Sequence, residues 1–124
     1  MSETTLTTEQ KNHKIDASGQ KVGRVASTVA KLLMGKQTTS FVRNRAPGIS
    51  VQIINASKAD VSANKMKEEL HASFSGFPSG IKTPTVAQVI GKKGYSELFR
   101  RAIAGMLPKN KLQKDMLKHL TISE

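Results

Sequence analysis

The chain has 124 residues, enough for one domain with a modest core. Lys and Arg outnumber Asp and Glu by 20 to 9, and the formal charge of +11 favours a polyanionic partner over a merely soluble basic protein. The absence of Cys excludes disulfides and thiolate metal sites, and the histidines show no ligand spacing. No apolar run could span a bilayer, and Met1–Gln10 resembles neither a signal nor a transit peptide. We therefore expect a cytoplasmic protein without metal, cofactor, membrane or small-molecule substrate.

The first half of the chain alternates strand and helix patterns. Residues 1–12 lack periodicity and are expected to form a flexible tail, which leaves residues 13–124 as a single domain. His13–Ala17 is predicted to be a strand. A helix should follow from Gly23, with its apolar residues on one arc and Gly35 as its stop. Ile49–Ile54 alternates and is β-branched, which predicts a strand.

In the second half, helices dominate the prediction. Asn55–Ala59 suggests a short helical connection, Asp60–Ser62 a brief strand, and Lys67–Phe74 is assigned to strand rather than helix. Thr83-Pro84 should begin a helix that runs to about Ile90 and is broken by residues 91–94. Further helices are predicted from Ser96 to Leu107, closed by Pro108, and from Asn110, the last burying Leu112, Met116, Leu117 and Leu120.

These elements predict an α/β fold in three layers. A small central sheet of about four strands, parallel or mixed, should be flanked by helices. The periodicity does not fix the strand order.

The positive charge is concentrated in two stretches without any acid. The first lies between Asp16 and Asp60 and carries Lys21, Arg24, Lys31, Lys36, Arg43, Arg45 and Lys58. The second runs from Leu98 to Lys114 and carries Arg100, Arg101, Lys109, Lys111 and Lys114. A solvated face usually mixes both signs, so one-signed faces on two helices indicate a phosphate-binding surface. Asn110, the expected N-cap of the last helix, should bring backbone N–H groups to the same surface.

Few aromatic residues are present to stack on single-stranded bases. They are Phe41, Phe74, Phe77, Tyr95 and Phe99, and the last belongs to an apolar helix stripe. Recognition of folded RNA through its phosphates fits this composition better than base reading.

An enzymatic role is not supported by the motifs. Gly19–Arg24 follows a strand and opens a helix, yet it matches neither a dinucleotide fingerprint nor a P-loop. Glu68-Glu69 is the sole adjacent carboxylate pair, and its side chains would not face each other across a cleft. We predict that the chain is not an enzyme.

Several motifs, in order, resemble the bacterial L-thirteen family of large-subunit ribosomal proteins, from about Ile15 to Leu120. They are Ile15–Gly19, Val22–Ser27, Leu33–Lys36, Ile53–Ala56 with Lys58, Asn64-Lys65, Ser75–Gly80 and, the most specific, Ala102–Asn110. The chain departs from the family pattern at Ile49, Ser62-Ala63, Phe74 and Gln113-Lys114.

The resemblance implies an α/β fold, binding to 23S-type ribosomal RNA, contact with neighbouring large-subunit proteins, and a role in subunit assembly. By motif it assigns RNA contact to Arg24, Lys36, Lys65, Lys109 and Asn110. Charge adds others, so the predicted RNA-binding residues are Arg24, Lys31, Lys36, Arg43, Arg45, Lys65, Arg100, Arg101, Lys109, Asn110, Lys111 and Lys114. The alternative is a free-standing RNA-binding assembly or regulatory factor.

Overall fold

The computed structural model describes residues 12–39, 41, 43–44 and 48–124. In chain order the elements are β1 (Asn12–Asp16), α1 (Val22–Met34), β2 (Ser50–Ile54), a 3-10 helix (Ala56–Lys58), α2 (Ala63–Glu68), β3 (Ser73–Phe74), β4 (Ile81–Lys82), α3 (Val86–Lys93), α4 (Tyr95–Met106), α5 (Leu112–Lys118) and β5 (Leu120–Ile122). This order confirms the predicted α/β class. The proposed tail stays a prediction, because residues 1–11 lie outside the described part, and Asn12 already belongs to β1.

The central sheet is parallel, with β2 between β1 and β5. In the described residues it has three strands, compared with the four or so that the sequence suggested. The remaining strands, β3 and β4, form a separate antiparallel pair. The C-terminal strand is held to β2 at both ends: Val51 N–H donates to the His119 carbonyl at 3.0 Å, and Ser123 N–H to the Ile53 carbonyl at 2.8 Å.

The two faces of this sheet differ in exposure. Val51 and Ile53 are buried and belong to the hydrophobic core, whereas Gln52 between them is exposed. The register places Lys14 and Thr121 beside Gln52, and both are exposed too. The sheet therefore packs through one apolar face and presents a polar one.

Helices α1 and α4 form the main helical layer of the core and pack against each other. The predicted apolar arc of α1 is confirmed, since Val25, Val29 and Leu33 are almost completely buried while Arg24 and Lys31 are exposed. In α4 the buried residues are Leu98, Phe99 and Ile103. Met106, at the last turn of the helix, keeps 43% of its surface exposed.

The predicted end of α1 is confirmed at Gly35. This residue adopts a left-handed conformation (φ 75°), which glycine accepts without the steric cost of a Cβ atom. Its N–H donates to the Leu32 carbonyl, and Lys36 N–H donates to the Lys31 carbonyl at 3.3 Å. The chain thus leaves the helix in a tight, hydrogen-bonded turn.

Between β2 and α3 two predictions fail in part. Asp60–Ser62 forms no strand, since Asp60 makes a single isolated bridge to Lys21. The strand assigned to Lys67–Phe74 holds at Ser73–Phe74, but residues 67 and 68 belong to α2. The reason is a helix cap at Ser62, whose hydroxyl accepts the Lys65 N–H at 3.3 Å.

The start of α3 lies two residues later than predicted. Thr85, not Thr83, caps the helix, and its hydroxyl accepts the Gln88 N–H while the Gln88 side chain accepts the Thr85 N–H. This reciprocal pair is a capping box. The helix then continues through Gly91 to Lys93, and Gly94 separates it from α4.

The last helix is shorter than expected. It begins at Leu112 and ends at Lys118, so Leu120 lies in β5 and not on the helix. Leu120 is nevertheless buried, as predicted, because β5 joins the apolar face of the sheet.

Candidate nucleic-acid interface

Most of the predicted RNA-binding cations are exposed. None of these has a carboxylate partner within the part of the chain that the structure describes. They lie on α1, in the segment between α1 and β2, on α4, and around the start of α5: Arg24, Lys31, Lys36, Arg43, Arg100, Lys109, Lys111 and Lys114. Arg45 lies outside the described residues. The exposed cations are free to pair with phosphate groups of a partner.

Two of the predicted cations are engaged inside the chain. Arg101 Nε donates to Glu97 Oε1 at 3.2 Å, and Lys65 Nζ lies 3.6 Å from Glu69 Oε2. Lys65 and Arg101 line one groove that also contains His71, so the structure brings them together but gives each a carboxylate partner. Because a phosphate would have to compete with these carboxylates, we rank them below the unpaired cations as RNA contacts.

A second groove brings the two acid-free stretches together. Its polar lining consists of Lys36 and Arg43 from the first stretch and Asn110 from the second. Its apolar lining consists of Met34, Phe41, Pro108 and Met116. We call this the Lys36 groove; its volume is about 320 Å³, and no carboxylate of the described residues lines it.

Local hydrogen bonds hold the two turns that bring Lys36 and Asn110 to the groove. On one side, Lys36 follows Gly35 in the turn after α1, and the Thr38 hydroxyl donates to the Gly35 carbonyl at 2.8 Å. On the other side Asn110 N–H donates to the Pro108 carbonyl at 3.0 Å, and the Gln113 side chain donates to the Ala104 carbonyl at 2.6 Å. Two of the residues that line the groove, Lys36 and Asn110, therefore stand in hydrogen-bonded turns.

Asn110 caps the last helix with its side chain, as predicted, although the regular helix is assigned only from Leu112. The Asn110 side-chain oxygen accepts the Leu112 N–H at 3.0 Å, and Lys111 between them already has a helical backbone conformation. The Asn110 carbonyl accepts the Gln113 N–H at 3.2 Å. These N–H groups at the start of α5 already have partners, so we no longer assign them to an anion. The Asn110 carboxamide keeps its NH₂ group as a donor toward a ligand.

Sequence reasoning undervalued the aromatic residues. Phe74 and Phe77 are 66% and 72% exposed on the β3–β4 hairpin, and Phe41 is 37% exposed in the Lys36 groove. Only Phe99 is fully buried. A signal was present in the sequence: Phe74 and Phe77 stand in a stretch of Ser, Gly and Pro with no helical or strand periodicity.

Other kinds of site find no support in the described residues. No group of three or more His, Asp or Glu side chains there is placed to hold a metal ion. None of the helices described is long and apolar enough to cross a membrane.

Asp16 shows the electrostatics at the carboxyl end of the sheet. The Ser18 N–H and the Asn55 side chain donate to its carboxylate at 2.9 and 3.1 Å. These hydrogen bonds, with the Lys58 charge nearby, hold the pKa of Asp16 below its ordinary value. The carboxylate thus links the end of β1 to the end of β2.

The model of the family described as Ribosomal protein L13 matches residues 10–124. The chain belongs to the ribosomal protein L13 family. This confirms the resemblance seen in the ordered motifs. It also confirms that the chain is not an enzyme, because the family is not an enzymatic one.

Individual relatives agree with the family model. The chain is 43% identical to the large ribosomal subunit protein uL13 of Trichlorobacter lovleyi, over 92% of this chain and 82% of the relative. Identity to uL13 of Geobacter sulfurreducens is 38% over 87% of this chain and 75% of the relative. Identity to uL13 of Brevibacillus brevis is 36%, over 94% of this chain and 80% of the relative. These relatives are bacterial large-subunit proteins, in agreement with the predicted cytoplasmic, ribosomal localisation of the family.

Proposed function

We propose that the chain is a structural constituent of the large ribosomal subunit, in which residues 13–124 act as a single domain that binds 23S-type ribosomal RNA and supports subunit assembly. The observation that carries the proposal is the Lys36 groove, where cations from one acid-free stretch meet Asn110 from the other. The names of the relatives supply the subunit. Neighbouring large-subunit proteins would be its further partners.

Charge and burial support binding through phosphates. Most of these cations stand on α1, α4 and α5 or in the hydrogen-bonded turns beside them, so little ordering of those segments is needed when RNA binds. Each phosphate that they neutralise releases counterions, which makes binding steeply salt-dependent. The contacts we assign to RNA are those of Arg24, Lys31, Lys36, Arg43, Arg100, Lys109, Asn110, Lys111 and Lys114, with Arg45, Lys65 and Arg101 as weaker candidates.

A charge-reversal pair tests the position of the surface. We expect Lys36→Glu with Arg43→Glu to weaken binding to a large-subunit rRNA transcript strongly in a filter-binding titration. The matched control is Lys92→Glu with Lys93→Glu, which changes the net charge equally on the exposed end of α3. Equal losses in the two variants would mean that overall charge, and not the assigned surface, governs binding.

The alternative, a free-standing assembly or regulatory factor, makes a different prediction for ribosomes. A structural constituent should sediment with the large subunit at one copy per particle after a high-salt wash. A free-standing factor should instead be washed off or be found on immature particles alone. Quantitative mass spectrometry of gradient fractions decides between them.

A further inference from the structure

The Lys36 groove combines two chemistries that phosphate binding alone does not need. Its cations, Lys36 and Arg43, stand beside an apolar lining in which Phe41 keeps 37% of its surface exposed. A site that bound only phosphates would gain nothing from an aromatic ring and two thioethers. An exposed aromatic ring next to two cations is instead typical of sites that hold a nucleobase together with its sugar-phosphate backbone.

We propose that the Lys36 groove binds one nucleotide turned out of a helix or loop of the ribosomal RNA, with its base against Phe41 and its phosphates on Lys36 and Arg43. This inference rests on the proposed function and specifies its ligand. The base contacts the apolar lining formed by Met34, Pro108 and Met116. The Asn110 NH₂ group, whose oxygen is already held by Leu112 N–H, donates to an acceptor on the base edge.

The size and charge of the groove favour this occupant. A volume of about 320 Å³ is at the lower end of the range for small-ligand sites, roughly 300–1,000 Å³, and suits a single nucleotide better than a run of stacked bases. Among the described residues no carboxylate lines the groove, so an anionic backbone meets the positive charges of Lys36 and Arg43 there. An acidic peptide would satisfy the cations but would leave the aromatic ring without a planar partner.

The chain contains no Trp, which makes Phe41→Trp a unique optical reporter. We expect a large-subunit rRNA transcript to quench the fluorescence of the introduced indole, since a stacked base lies in contact with it. Inorganic polyphosphate, which has charge but no base, should bind the same variant without that quenching. Absence of quenching at saturating rRNA would overturn the inference.

Affinity measurements provide the second arm of the test. Phe41→Leu keeps apolar bulk but removes the ring, and it should weaken rRNA binding about fivefold or more. Its affinity for polyphosphate should be unchanged, and Phe41→Trp should retain rRNA binding. Thermal unfolding of each variant checks that the domain is folded, and Leu70→Ala, which removes an exposed apolar side chain outside the groove lining, serves as the control.

The outcomes separate this inference from the proposed function. If the unaltered chain binds the rRNA and Phe41→Leu binds it equally well, the groove does not hold a base, whereas the proposed function stands. If Phe41→Leu instead lowers only the copy number of the protein in purified large subunits, the groove holds a neighbouring protein and the inference is wrong. Failure of the unaltered chain to bind the rRNA would overturn both.

Discussion

The Asn55 side-chain amide donates to the Asp16 carboxylate at 3.1 Å, although 39 positions separate the two residues in the chain. The bond joins the carboxyl ends of the neighbouring parallel strands β1 and β2, where Ala17 N–H also donates to the Ile54 carbonyl at 3.0 Å. Asn55 stands in the left-handed region (φ 56°, ψ 39°), which Asn tolerates better than most residues. Both residues belong to motifs that the family resemblance singled out, and the structure shows that they form one contact.

Replacement of Asn55 should reveal both of its contributions. Asn55→Ala loses the hydrogen bond and puts alanine, which has no side-chain polar group to support the conformation, in left-handed backbone. The backbone conformation alone should then cost about 1–2 kcal/mol of unfolding free energy. Asn55→Gly also loses the hydrogen bond, but glycine adopts left-handed backbone without steric cost. The Gly variant should therefore be less destabilised than the Ala variant. Urea unfolding measures the difference, and an Ala variant at least as stable as the Gly variant would contradict the assignment.

Acid should weaken the link at Asp16. Because the folded-state pKa of Asp16 lies below its ordinary value, the carboxylate stabilises the fold above its unfolded-state pKa, and this contribution is lost as the pH falls through the folded-state pKa. Asp16→Asn should therefore lower the unfolding temperature near neutral pH, and its deficit should close in strong acid. Asp115→Asn, whose carboxylate has a described contact with Lys118 at 3.9 Å, is the control and should change stability little. A deficit for Asp16→Asn that does not vary with pH would be inconsistent with this account.

The start of α3 can be tested by two neighbouring threonines. Thr85→Ala removes the hydroxyl of the capping box and should cost roughly 1 kcal/mol of unfolding free energy. Thr83→Ala should cost much less, because Thr83 is exposed and lies outside the capping box. Denaturant unfolding of both variants decides between the two N-caps, and the reverse order would restore the start that the sequence suggested.

Salt titrations should rank the basic residues. Removal of an unpaired cation by Lys36→Ala should reduce the slope of log affinity for rRNA against log salt by about 1. Arg101→Ala should reduce it less, since its guanidinium is already paired with Glu97 at 3.2 Å. Filter binding over a range of KCl concentrations gives both slopes. If Arg101→Ala reduced the slope as much as Lys36→Ala does, the ion pair between Arg101 and Glu97 would have to open when RNA binds.

Elements with a long, regular pattern were predictable from the chain. The apolar arc of α1, its stop at Gly35 and the alternation of Ile49–Ile54 are local signals, and their packing follows from the same residues. Short elements were not. The helical spacing of Leu112, Met116 and Leu120 continues into β5, and the change from helix to strand there depends on pairing with β2. That pairing joins segments far apart in the chain, which local periodicity does not register.

The sequence by itself determined the family and predicted a polyanionic partner. Net charge, its segregation into two acid-free stretches and the ordered motifs all lie in the residues themselves, and the family match agrees with them. Only the tertiary structure decided which cations stand free and which meet a carboxylate, as Arg101 does with Glu97. It also decided that Phe41 faces a groove shared by Lys36 and Asn110, because such a groove arises from the packing of turns that are distant in the chain.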